Sequence, residues 1–128
     1  MKTEIIQEYY HQRGLSWPDH KSALLFYLSE VGELAEAYLT TQSAQLSEEE
    51  QVLFQNFADL GLQADAIVSR KPGWIRNHDR LDKENIAHEA ADCSMMLSVF
   101  LETYQGQSPD EALLEKMTLK LGHPINCK

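Results

Sequence analysis

Apolar residues recur three and four positions apart along most of the chain, the spacing of a helix face, and no stretch of useful length alternates as a strand would. The pattern predicts a short amphipathic helix from Thr3 to Gln12, ending near Gly14. Trp17-Pro18-Asp19 then opens a long helix to about Leu39, with Pro18 suited to the start of a helix and not to its interior. Ser47 and Glu50 have the spacing of a capping box and begin a third helix that runs to about Val68. Lys71-Pro72-Gly73 breaks the periodicity. Asp82 can cap a fourth helix, about Lys83 to Tyr104, and Ser108-Pro109-Asp110-Glu111 starts a fifth that stops before Gly122. The expectation is an all-α bundle of about five helices in one domain, residues 1–128, with an irregular loop at about 69–82.

Two acidic pairs interrupt the apolar faces. Glu30-x-x-Glu33 and Glu89-x-x-Asp92 each place two carboxylates on nearly the same side of a helix. On a helical wheel the first pair shares its arc with Ala23, Phe26, Leu34 and Ala37, and the second with Ile86, Cys93, Met96 and Phe100. Either pair alone fits an ordinary solvated surface, where most carboxylates sit. Two pairs in apolar settings on two long helices call for a compensating positive charge, because a buried ionised carboxylate is costly without one. Glu36 and Glu102 read as ordinary exposed carboxylates by comparison.

The donor types narrow the choice of ion. No Cys–Cys or Cys–His spacing suits zinc. A di-iron carboxylate bundle needs Glu-x-x-His on each of two helices, and only Glu8-Tyr9-Tyr10-His11 has it. An all-oxygen site for Mg²⁺, with Mn²⁺ as a substitute, is the better match. Such ions leave positions for substrate phosphates, which makes phosphate-ester or anhydride hydrolysis the natural chemistry.

Composition supports this direction. With 43% hydrophobic and 24% charged residues the chain should be globular. Its formal charge of −9 argues against a nucleic-acid polymer as partner, since the phosphate backbone would be repelled. No run approaches a membrane span, and Met1-Lys2-Thr3-Glu4 does not open a signal peptide. The two cysteines, Cys93 and Cys127, do not suggest a disulfide, and a cytoplasmic setting is expected. A chain of this size with long apolar helices is expected to complete its core as a homodimer or a dimer of dimers.

Leu28-Ser29-Glu30-Val31-Gly32-Glu33-Leu34-Ala35-Glu36-Ala37, followed by Asn85-Ile86-Ala87-His88-Glu89-Ala90-Ala91-Asp92, resembles the MazG-like all-α nucleoside triphosphate pyrophosphohydrolases. Trp17-Pro18-Asp19-His20-Lys21 is also similar to the lead-in of several relatives, and the resemblance covers residues 15–40 and 83–122. It implies that Glu30, Glu33, Glu89 and Asp92 coordinate Mg²⁺. It further implies that water attack on a bound nucleoside triphosphate releases a monophosphate and pyrophosphate, in some members as house-cleaning of non-standard nucleotides. The chain departs from the pattern at Ser29, where many relatives carry Glu, and in a longer segment between the two halves. Near the C-terminus Lys116 matches, Lys120 stands where relatives have Asn, and His123 lies near an Arg position.

Arg70, Lys71, Arg76, Arg80 and Lys83 are five of the eleven Lys and Arg residues of the chain, gathered beside the second acidic helix. They suit a phosphate-steering segment, with Trp74 as a stacking face for a base; a solvated loop is the plainer alternative. Lys21, Arg76, Lys116 and Lys120 are further candidate phosphate contacts. The competing functional reading is a non-catalytic helical interaction protein that retains a degenerate metal cluster, for which Ser29 is the main support.

Overall fold

The computed structural model describes residues 3–70 and 85–125. They form α1 (Thr3–Gln12), α2 (His20–Gln42), a 3₁₀ turn (Ser43–Gln45), α3 (Glu48–Val68), α4 (Ile86–Gln105) and α5 (Pro109–Leu121), with no strand among the described residues. Among the described residues the fold is the all-α bundle of five helices that the periodicity predicts.

Local chemistry fixes the helix starts. Asp19 accepts a hydrogen bond from the Ser22 amide at 2.8 Å, so α2 begins just after Pro18. At α3 the Ser47 hydroxyl accepts from the Glu50 amide at 3.1 Å, and the Glu50 carboxylate accepts from the Ser47 amide at 2.8 Å. The capping box is therefore complete. Ser108 accepts from the Glu111 amide at 3.2 Å, with Pro109 as the first helical residue of α5. The fourth helix is described from Ile86, capped by the side chain of Asn85 on the His88 amide at 3.2 Å; Asp82 and Lys83, where the sequence pattern puts its cap and start, lie outside the described residues. Asn85 has extended backbone angles and an amide oxygen that does the same capping work as a carboxylate.

α2 is the central element, packed against α3 and α4. It runs antiparallel to α4. At one end Trp17 Nε1 donates to Thr103 Oγ1 at 2.9 Å and the rings of His20 and Tyr104 meet edge-on at 5.3 Å; further along α2, Glu30 approaches Glu89. It is also antiparallel to α3, where Tyr38 meets Phe54 with ring centroids 5.2 Å apart and Gly32 meets Gly61. Ile6, Phe26, Val68, Met96 and Val99 form the core between the helices. α1 closes one side of it through Tyr10, whose buried hydroxyl donates to Met96 Sδ at 3.4 Å. Burial pushes the Tyr10 phenol up to about 12, with smaller contributions from Tyr9 and the Glu30 carboxylate. α5 has no buried residue. Among the described residues no helix is long and apolar enough to cross a membrane.

Candidate metal centre

The centre is built from two adjacent helices. Glu30 and Glu33 lie one turn apart on α2, and Glu89 lies in the first turn of α4. Because the helices are antiparallel neighbours, one carboxylate oxygen from each of the three residues falls within 4.8 Å of the others. All three side chains are partly buried, and the Oε2 atoms of Glu30 and Glu89 are shut off from solvent. The positive end of the α4 dipole favours a carboxylate at Glu89. It does not cancel three of them.

Cys93 reports the local field. Burial pushes this free thiol up to about 12, and the carboxylates of Glu30, Asp92, Glu89 and Glu33 add to the shift in that order. A neutral thiol behaves as a small apolar side chain, and Cys93 packs as part of the core.

The residues fit a hard divalent cation. Around an ion with ligands at about 2.1 Å, donor oxygens in an octahedron stand about 3.0 to 4.2 Å apart. An arrangement already within 4.8 Å needs only small side-chain rotations to meet that geometry. The donors are all carboxylate oxygens, the type Mg²⁺ and Mn²⁺ prefer.

Asp92, the fourth expected ligand, is exposed and stands outside this group of three. It is one methylene shorter than Glu and sits a further turn along α4, so from the same face it reaches the rim of the cluster. Its charge is still felt at Cys93.

Glu33 also borders a shallow, open groove between α2 and α3. The small residues Ser29, Gly32, Ala58 and Gly61 leave this space, and Glu36 and Asp65 line it together with Glu33. Glu36 is thus half-buried at the groove, contrary to its sequence reading as an ordinary exposed carboxylate. Asp65 went unnoticed in the sequence. The available signal was Gly61, a glycine inside a helical pattern, which marks a close approach of another backbone.

The expected phosphate contacts among the described residues lie on two different helices and at the end of a third. Lys21 is exposed in the first turn of α2, about 13 Å of helix rise from Glu30. Lys116 and Lys120 are exposed on α5, one turn apart. Arg70 is exposed at the end of α3, with Nε donating to the Ala66 carbonyl at 2.9 Å. Lys71, Trp74, Arg76, Arg80 and Lys83 lie outside the described residues, as does Cys127. Comparison with protein-family models, with curated proteins and with solved structures finds no match for this chain.

Proposed function

We propose that the protein is a Mg²⁺-dependent nucleoside triphosphate pyrophosphohydrolase, releasing a nucleoside monophosphate and pyrophosphate. The observation that carries this reading is the convergence of Glu30, Glu33 and Glu89 on one point between α2 and α4. The order of the two acidic pairs and their resemblance to the MazG-like enzymes supply the reaction class.

Glu30, Glu33 and Glu89 would hold the cation, with Asp92 at the rim. When bound, Mg²⁺ supplies Lewis-acid neutralisation of the polyphosphate charge, which a chain of net charge −9 needs in order to accept such a substrate. A carboxylate of the cluster can accept a proton from the attacking water and orient it toward the α-phosphate. The groove beside Glu33 brings Glu36 and Asp65 next to the cluster and adds to the negative charge that a cation offsets. Lys21, Lys116, Lys120, Arg76 and Trp74 are proposed as outer contacts to phosphate and base, and a cytoplasmic setting accompanies the reading.

A panel of canonical and modified nucleoside triphosphates, incubated with Mg²⁺ and resolved by chromatography, tests the assignment. Monophosphate and pyrophosphate in equal amounts are expected. Orthophosphate and diphosphate would replace pyrophosphohydrolysis by a different phosphatase chemistry. No turnover of any nucleotide would favour the non-catalytic interaction protein.

A further inference from the structure

The inner side of the metal cluster faces the hydrophobic core, and α1 reaches that region through Tyr10. This residue is 4% exposed, and its hydroxyl donates to Met96 Sδ at 3.4 Å, although a thioether is a weak acceptor. Met96 lies seven residues beyond Glu89 on α4, which returns it to the same face, with Cys93 between them. Phe26, one turn before Glu30 on α2, packs in the same core group as Tyr10 and Met96. Side chains on a helix lean toward its N-terminus. Because α2 and α4 are antiparallel, Glu30 leans toward the level of Met96, and Met96 leans back toward Glu89. The Tyr10 hydroxyl, the Met96 sulfur and the Glu30 carboxylate are thereby drawn toward one level of the bundle. The electrostatics agree. Glu30 Oε2 is shut off from solvent. Burial is the main cause of the raised Tyr10 phenol and of the raised Cys93 thiol, and the Glu30 charge adds to both.

We infer that Tyr10 is a positioning residue for the cation centre: its hydroxyl is shared between Met96 Sδ and the Glu30 carboxylate, and donation to Glu30 holds that ligand ready for the ion. The inference rests on the cation-site reading above and not on the reaction assigned to it. A ligating carboxylate is itself held by hydrogen bonds, which fix its orientation before the ion arrives. The phenol hydrogen turns between two acceptors by rotation about the C–O bond, and leaving a thioether costs it little. The ring that carries it is fixed. Tyr10 packs against Trp17 with centroids 5.1 Å apart, and Trp17 Nε1 is tied to Thr103 Oγ1 at 2.9 Å. α1 contributes no member of the convergent group, yet through this side chain it acts on the centre from behind.

Calorimetric titration of the nucleotide-free full chain with Mn²⁺ tests it, in the wild type and three variants. Tyr10→Phe keeps the ring and removes the hydroxyl. It should weaken binding by about tenfold or more, the usual cost of losing a hydrogen bond that orients a ligand. Met96→Leu conserves volume and removes the competing acceptor. It should tighten binding by about twofold or more, because a larger fraction of the chains holds Glu30 ready. Thr103→Val breaks the bond to Trp17 about 21 Å of helix rise from Glu89, and should lower Tm with Mn²⁺ affinity unchanged. A purely structural Tyr10–Met96 bond would make Tyr10→Phe and Met96→Leu behave alike, since both break it. Met96→Leu binding no tighter than wild type therefore overturns the inference, and decides alone should Tyr10→Phe unfold. A loss in Thr103→Val as large as that in Tyr10→Phe overturns it too. Wild type and Tyr10→Phe binding Mn²⁺ equally well would sink the role of Tyr10 and leave the cation site standing. A wild type that binds neither Mn²⁺ nor Mg²⁺ removes both.

Discussion

Gly32 and Gly61 bring the backbones of α2 and α3 into direct contact: a Cβ added to either would stand 2.6 Å from the Cα of the other. Only the absence of both side chains allows this approach. It sets the width of the groove beside Glu33, which Gly32 and Gly61 both line.

Replacing Gly61 by Ala should therefore destabilise the protein, although alanine is the better helix former by about 0.5–1 kcal/mol. The clash is with backbone and cannot be relieved by a rotamer change, so an overpacking cost of about 1–3 kcal/mol outweighs the propensity gain. Urea denaturation at fixed protein concentration should show a lower midpoint with an unchanged slope. A Gly61→Ala protein as stable as wild type would contradict the contact.

Tyr10 predicts a pH effect. Its phenol is raised from the ordinary value of 10.0 to about 12 because the buried hydroxyl resists ionisation. The folded state holds the proton more tightly than the unfolded chain. The stability it contributes is fully present below pH 10 and is lost as pH rises toward 12. The loss is on the order of 2 kcal/mol. A Tyr10→Phe variant should lose less stability than wild type over this interval, as read by denaturation at pH 9 and pH 11.5.

The acidic residues should rank by position. Glu33→Gln and Glu89→Gln should each lower kcat/KM by about two orders of magnitude or more, since each removes a charge from the convergent group. Asp92→Asn, at the rim, should cost less. Steady-state pyrophosphate release gives the ranking, and equal losses at all three positions would place Asp92 inside the cluster.

Neutralising Arg76 and Arg80 together should raise KM more than it lowers kcat, and the effect should shrink with added salt. A KM indifferent to both substitutions across ionic strengths would identify a solvated segment.

Much of this architecture was legible in the sequence because it depends on local chemistry. The spacing of Ser47 and Glu50 and the order Ser108-Pro109 fixed two helix starts through bonds within one turn. Glu30 and Glu33 stood out because they sit beside Ala23, Phe26 and Ala37, all of which are buried. What escaped depends on helix pairing. Asp65 and Glu36 share a groove only because Gly32 and Gly61 touch, and no local pattern states which glycine meets which. The distinction between Glu89 and Asp92 was also hidden. Both lie on one face of α4, and side-chain length and the α2 neighbour separate them.

Thermal melts with and without Mg²⁺ test the central claim, that Glu30, Glu33 and Glu89 form a cation site. Three carboxylates with oxygens within 4.8 Å of one another repel, and a cation that joins them lowers that cost. At about a hundred times its dissociation constant, an ion that binds only the folded site stabilises it by about 2.7 kcal/mol. For a domain of this size that is a rise of roughly 10 °C in Tm. The Glu89→Gln protein should lose that response and, without metal, melt no lower than wild type, because one repelling charge is gone. A wild-type Tm indifferent to millimolar Mg²⁺ and Mn²⁺, or a Glu89→Gln protein that unfolds, would show that these carboxylates are held for another purpose.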